Sequence, residues 1–101
     1  MKKELIDKVV KGLHTEERYI YLNAETQSLD NAEKYEIANQ MGKNIYCYEN
    51  WGFDYYFTLP MLIEDFYAYL TGMTSIEDDR AYMSLSDYME HFGVEEYEYN
   101  K

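Results

Sequence analysis

The side chains able to do chemistry in this chain are 20 Asp and Glu, two His and one Cys among 101 residues. Acyl transfer needs a nucleophile, a base beside it and a group that orients the base. His14 follows one helical pattern and His91 sits near the end of another, where an imidazole acts as a C-terminal cation. No nucleophile-elbow glycine pattern surrounds any serine. Cys47 belongs to an apolar alternating run, so it is expected to be a small buried side chain, and a lone cysteine forms no internal disulfide. No His or Cys pair has metal-ligand spacing, and Glu77-Asp78-Asp79 lacks the glycine and ligand alternation of a calcium loop. The five glycines are scattered, with no phosphate-cradling loop among them. General acid–base work by two carboxylates is open to any chain this acidic, so it singles out no pair. The expectation is a protein that is not an enzyme and uses no metal or cofactor.

The elements that would position these residues centre on residues 44–73. Ile45 and Cys47 alternate with Tyr46 and Tyr48, Asn50-Trp51-Gly52 breaks the pattern, and Phe53, Tyr55 and Phe57 alternate with Asp54, Tyr56 and Thr58. Period two on both sides of a short Gly-containing loop predicts a β-hairpin. Pro60 ends the second strand and suits the first turn of a helix. Leu62, Phe66, Tyr69 and Met73, widened by Ile63, Tyr67 and Leu70, predict a helix apolar around much of its circumference and therefore central, with Gly72 as its C-cap.

Ahead of this stretch, Leu5, Ile6, Val9, Val10 and Leu13 predict a helix over residues 2–13, with Glu4–Lys8 and Asp7–Lys11 as (i, i+4) pairs. Residues 18–23 alternate Tyr19 and Tyr21 with Ile20 and Leu22, as a strand does. Asp30 and Glu33 form a capping-box pattern before Ala32, Tyr35, Ala38 and Met41, with Ile37 beside them, and Gly42 ends that helix. After the central helix, 74–84 is a polar loop or helical turn. Ser84 and Asp87 then start a last helix carrying Leu85, Tyr88, Met89 and Phe92, stopped by Gly93. The acidic tail, 94–101, is an edge strand or a mobile end. The whole is expected to be a single α+β domain over 1–101. It has a small, mainly antiparallel sheet of about three strands with helices packed on one face, in the order α-β-α-β-β-α-α.

Net charge is −11, and between Asn44 and Asn100 there are 12 acids and one base, Arg80. Affinity for nucleic acid comes largely from Lys and Arg neutralising phosphates, so direct binding to it is not expected, whereas a basic partner is. The longest charge-free run, Phe66 to Ile76, has 11 residues, short of the roughly 18 of a membrane helix. Charges at Asp7, Lys8 and Lys11 interrupt any signal-peptide core. The expected place is the cytoplasm.

The second outstanding feature is 13 tyrosines set beside acids, as in Asp54-Tyr55-Tyr56, Glu64-Asp65-Phe66-Tyr67, Asp87-Tyr88 and Glu95-Glu96-Tyr97-Glu98-Tyr99. Aromatic side chains anchor interfaces, while carboxylates steer a basic partner. Tyr19, Tyr21, Tyr46, Tyr48 and Tyr56 are expected to share one sheet face, an aromatic platform whose surrounding charge has the wrong sign for RNA. In size, acidity and aromatic content the chain resembles the small inhibitors that phages and mobile elements make against bacterial defence enzymes, the anti-restriction and anti-CRISPR proteins. Several of these imitate nucleic acid. The resemblance implies a partner that is a basic nucleic-acid-handling protein, such as a CRISPR effector or a restriction enzyme, in a bacterial host. The expected contacts are Asp54, Glu64, Asp65, Glu77, Asp78, Asp79, Asp87, Glu90, Glu95, Glu96 and Glu98, with Trp51, Tyr56, Tyr67, Tyr97 and Tyr99 as anchors. The alternatives are a Tyr-rich adaptor or regulatory domain, and an immunity protein to a nuclease toxin.

Overall fold

The computed structural model describes residues 2–17, 22–23, 27–72 and 83–100. They form, in chain order, α1 (Lys3–His14), β1 (Leu22–Asn23), α2 (Asn31–Met41), β2 (Ile45–Asn50), β3 (Phe53–Thr58), α3 (Leu59–Thr71), α4 (Leu85–Phe92) and β4 (Glu95–Tyr97). The class is the expected α+β, and the tail forms an edge strand. The strands make one antiparallel sheet in the order β1-β3-β2-β4. The expectations placed on 18–21 and 73–82, Glu77, Asp78 and Asp79 among them, lie outside the described residues. No helix of the described residues is long and apolar enough to cross a membrane.

The hairpin is tighter than expected. Asn50 pairs with Phe53, leaving Trp51 and Gly52 alone as the turn, with φ of 55° and 77°. Two consecutive left-handed residues are what a type I′ turn demands, and its twist matches that of the strands. Side chains paired across an antiparallel ladder point to the same face. Ile45, Cys47 and Glu49 therefore share a face with Thr58, Tyr56 and Asp54, joined by Tyr97 and Glu95 of β4. Tyr46, Tyr48 and Asn50 share the other with Phe57, Tyr55 and Phe53. This register breaks up the aromatic platform: Tyr46 and Tyr48 point one way and Tyr56 the other, while Tyr19 and Tyr21 lie outside the described residues.

Each face is covered by its own helices, where a single covered face was expected. On the first, Tyr97 meets Asn31 and Tyr35 of α2, and α1 packs on both α2 and β3. On the second, Tyr48 and Phe57 meet Leu62, Asp65 and Tyr69 of α3 and Tyr88 and Phe92 of α4 around one cavity. The reason is composition. Both faces of the hairpin are apolar, with Ile45, Cys47 and Tyr56 on one and Tyr46 and Phe57 on the other all buried, so each needs a cover.

β3 runs into α3 without a loop, Pro60 standing in the helix's first turn as expected. α3 is not central, however. Met61, Leu62 and Phe66 are buried, but Tyr67 is 60% exposed, because a single sheet face can cover only one side of a helix. In α2 the buried positions are Glu33, Ile37, Ala38 and Met41, while Ala32 and Tyr35 lie outward.

The capping boxes of α2 and α4 both form. Asp30 accepts the Glu33 N–H at 2.8 Å while Glu33 accepts the Asp30 N–H at 3.1 Å; Ser84 and Asp87 do the same for α4. Glu33 also accepts the backbone N–H of Lys2 at 2.6 Å, and the Lys2 ammonium donates to the Ser28 carbonyl. The start of α1 is thereby tied to the start of α2. The Lys2 N–H, then that of Asp30, hold the Glu33 carboxyl below the usual carboxylate value. Asp30→Ala is expected to lower unfolding free energy by about 1 kcal/mol, read as a lower denaturant midpoint at unchanged slope.

Candidate functional site

The first sheet face changes character along its strands. The row Thr58, Ile45, Tyr97 is uncharged and buried; the next is Tyr56, Cys47 and Glu95; the row nearest the turn is Asp54 and Glu49. Two-residue alternation thus carries three carboxylates, from three adjacent strands, to the turn end of one face. There a cleft of about 290 Å³ opens, lined by Lys34 of α2, Cys47, Glu49, Asp54, Phe92 and Glu95.

Asp54 is the unusual member. It is 5% exposed, and its Oδ2 has no hydrogen-bond partner. Burial pushes its carboxyl above the usual value, with Lys34 pulling it down and Glu49 pushing it further up. Glu95 is exposed, and its Oε2 accepts the Tyr97 hydroxyl at 2.7 Å. The Lys34 ammonium lies 5.5 Å from the centre of the Tyr97 ring, at cation–π distance. Burial pushes the Cys47 thiol up to about 12, so it stays protonated and inert at neutral pH, in keeping with a small buried side chain. Tyr56 is completely buried, its hydroxyl beside the Cys47 thiol, and burial raises its phenol as well.

Of the expected contact residues, Asp54, Tyr56 and Tyr97 are core side chains. Strand pairing turns all three toward the face that α1 and α2 cover; Tyr56 and Tyr97 offer a partner no surface there, while Asp54 borders a cleft. Trp51 stands 90% exposed at the tip of the hairpin, next to the Asp54 and Glu49 row. Tyr67 and Glu64 of α3, and Asp87 and Glu90 of α4, lie exposed on the helices of the opposite face. Asp87 is also the reciprocal cap of α4. Along β4 and the residues after it, Glu96, Glu98 and Tyr99 are exposed. Glu96 accepts hydrogen bonds from Asn44 and from the Tyr46 hydroxyl, both at 3.0 Å. Burial first, and then Glu96, push the Tyr46 phenol up to about 12. Asp65 is half-buried and lines the second cavity, about 310 Å³, with Tyr48, Phe57, Tyr69, Tyr88 and Phe92. The Tyr88 and Phe92 rings there are 4.8 Å apart, and burial, followed by Asp65, raises the Tyr88 phenol.

Among the described residues the structure therefore brings Asp54 and Glu95 together and distributes the other expected carboxylates over two faces and an edge. Glu49, Lys34 and Phe92 were not expected at a site. Glu49 was within reach, because the alternation Ile45, Cys47, Glu49 places it on one face, but only the turn length tells which residues it meets. Among the described residues no three His, Cys, Asp or Glu side chains are close enough to hold a metal ion. The chain matches no protein-family model, no curated protein and no solved structure.

The Asp54 carboxyl holds its proton more tightly folded than unfolded, so its ionisation favours unfolding. That destabilisation is absent below the unfolded value of 3.8 and complete above the raised folded one. Asp54→Asn is expected to melt higher than wild type at pH 7, the difference shrinking as the pH falls toward 3.8. A variant that melts lower at pH 7 would mean that the carboxylate is satisfied. Cys47 is expected to react with a thiol reagent only in denaturant.

Proposed function

We propose that this protein is an acidic inhibitor that binds a basic nucleic-acid-handling protein of bacteria, a defence nuclease such as a CRISPR effector or a restriction enzyme, and occludes its nucleic-acid channel. The observation that carries the reading is Trp51. At 90% exposure the indole contributes almost no packing, and its φ of 55° is one that Gly, Asn or Asp adopts at lower cost. Fold stability gives no reason for a tryptophan there, whereas interfaces use such side chains as anchors, and backbone strain at an exposed position points to function.

Charge supports the same reading. Glu49 and Glu95 lie exposed at the Trp51 end of the sheet, and Glu96 and Glu98 continue along the edge. With 12 acids against one base from Asn44 to Asn100, little local charge cancels this field. Carboxylates in such numbers attract the Lys and Arg of a nucleic-acid channel and raise the rate of encounter. Trp51, with Tyr67 or Tyr99 according to the face engaged, then supplies contact area that salt does not screen. Glu64, Asp87 and Glu90 extend the negative surface over the other face. The exposed Tyr67 also favours a second reading, a non-catalytic adaptor that docks an apolar partner.

The readings separate by salt. Immobilised protein is expected to capture a basic nucleic-acid enzyme from nuclease-treated bacterial lysate and to release it between about 0.1 and 0.5 M salt, as screening shortens the reach of the charges. The purified partner should then lose nucleic-acid binding when the protein is added. Changing Glu95, Glu96 and Glu98 together to Gln should weaken the complex at least about tenfold at low salt. Trp51→Asn should weaken it similarly while leaving the protein as stable or more so. Affinity indifferent to the triple change sinks occlusion, and salt-resistant capture of an apolar partner favours the adaptor.

A further inference from the structure

The geometry points to the cleft at the turn end of the sheet as a socket for a guanidinium group, the side chain of an arginine presented by the partner. This rests on the reading of the protein as a binder of basic proteins and names the group by which it would hold one. Asp54 is nine-tenths buried or more, lines the cleft, and has a carboxylate oxygen with no hydrogen-bond partner. A buried acceptor left unpaired is costly, and donors arriving from a ligand remove that cost. Glu49 lies directly across the ladder from Asp54 and Glu95 comes from the adjoining strand, so three carboxylates face a cleft that, among the described residues, is lined by one cation, Lys34.

Lys34 does not complete the site. Its ammonium sits over the Tyr97 ring, and Asp54 Oδ2 remains without a partner. Nor is the donor set that of a metal site, since no three of these groups converge closely enough. A metal ion needs its oxygens within roughly 2.0–2.6 Å of one point, whereas a guanidinium offers five N–H donors in a plane and can serve carboxylates that stand apart. The remaining walls suit the same group. Phe92 lines the cleft, and a weakly hydrated guanidinium is held against an aromatic wall better than a compact ammonium is. About 290 Å³ is room for the planar head and part of its stem. Trp51, at the same end of the sheet, is placed to cover what surrounds the arginine.

The test is NMR titration of the intact protein with three probes: a blocked Gly-Arg-Gly peptide, agmatine, and a blocked Gly-Lys-Gly peptide. Support is a saturable shift of the backbone amides of Cys47, Glu49, Asp54 and Glu95 with the arginine peptide, at least tenfold weaker with the lysine peptide. Asp54→Asn, expected to fold at least as well as wild type, should weaken arginine-peptide binding tenfold or more. Asp7→Asn, exposed on α1 and outside the lining of the cleft, should leave it unchanged. Equal response to both peptides overturns the guanidinium assignment, and unchanged affinity in Asp54→Asn overturns the site. Binding of agmatine without the arginine peptide overturns the partner side chain as the occupant in favour of a free guanidino compound. None of these arms uses a nuclease, so a socket that binds arginine while lysate capture fails removes the inhibitor reading alone.

Discussion

Everything in this fold depends on the register of one hairpin. A two-residue turn forces Asn50 opposite Phe53, and from that pairing every later partner follows to Ile45 opposite Thr58. Because side chains alternate strictly, a slip of one residue would put Tyr56 on the face of Tyr46 and Tyr48 and part it from Cys47 and Ile45. The register therefore decides which aromatic side chains become core and which line the second cavity. It also sets Asp54 opposite Glu49, and the pairing of β4 with β2 adds Glu95 to the same face. The edge strand and both helical layers are built against faces that this pairing has already defined.

Two buried carboxylates show how differently one chemical group can be housed. Glu33 accepts two backbone N–H groups, from Lys2 and Asp30, so it is held ionised and joins two helices. Asp54 is as buried, yet one oxygen has no partner. The first arrangement stabilises the fold by itself, while the second leaves an electrostatic demand unanswered. Natural cores pair nearly all such groups.

That demand sits within an already one-sided field. β4 is an edge strand, and its exposed glutamates have a protective role of their own, since like charges discourage another strand from adding there. In the proposed inhibitor the same charges would also attract a basic surface. Trp51 stands apart from this, being apolar, exposed and held in a backbone conformation that tryptophan does not favour. In the proposed complex a negative field would draw the partner in and one aromatic anchor would hold it, complementary contributions to binding.

Much of this was legible in the residues alone. The helices, the capping boxes at Asp30 and Ser84, the stop at Gly93 and the hairpin at Gly52 follow from local periodicity and from the few residues that satisfy helix ends and left-handed turns, interactions that span four residues or fewer. The excess of acid over base also needs no coordinates. What required the tertiary structure was every relation between distant segments. The hairpin pattern fits a three-residue loop as readily as a two-residue turn, and the difference of one residue decides whether Tyr56 joins Tyr48 or faces away from it. That two helical layers cover the sheet, that Tyr67 faces outward, and that Lys2 closes on Glu33 depend on packing between elements tens of residues apart. The acidic cleft is of the same kind. Its carboxylates are 49, 54 and 95 in the chain, unremarkable among 20, and strand pairing alone brings them to one place.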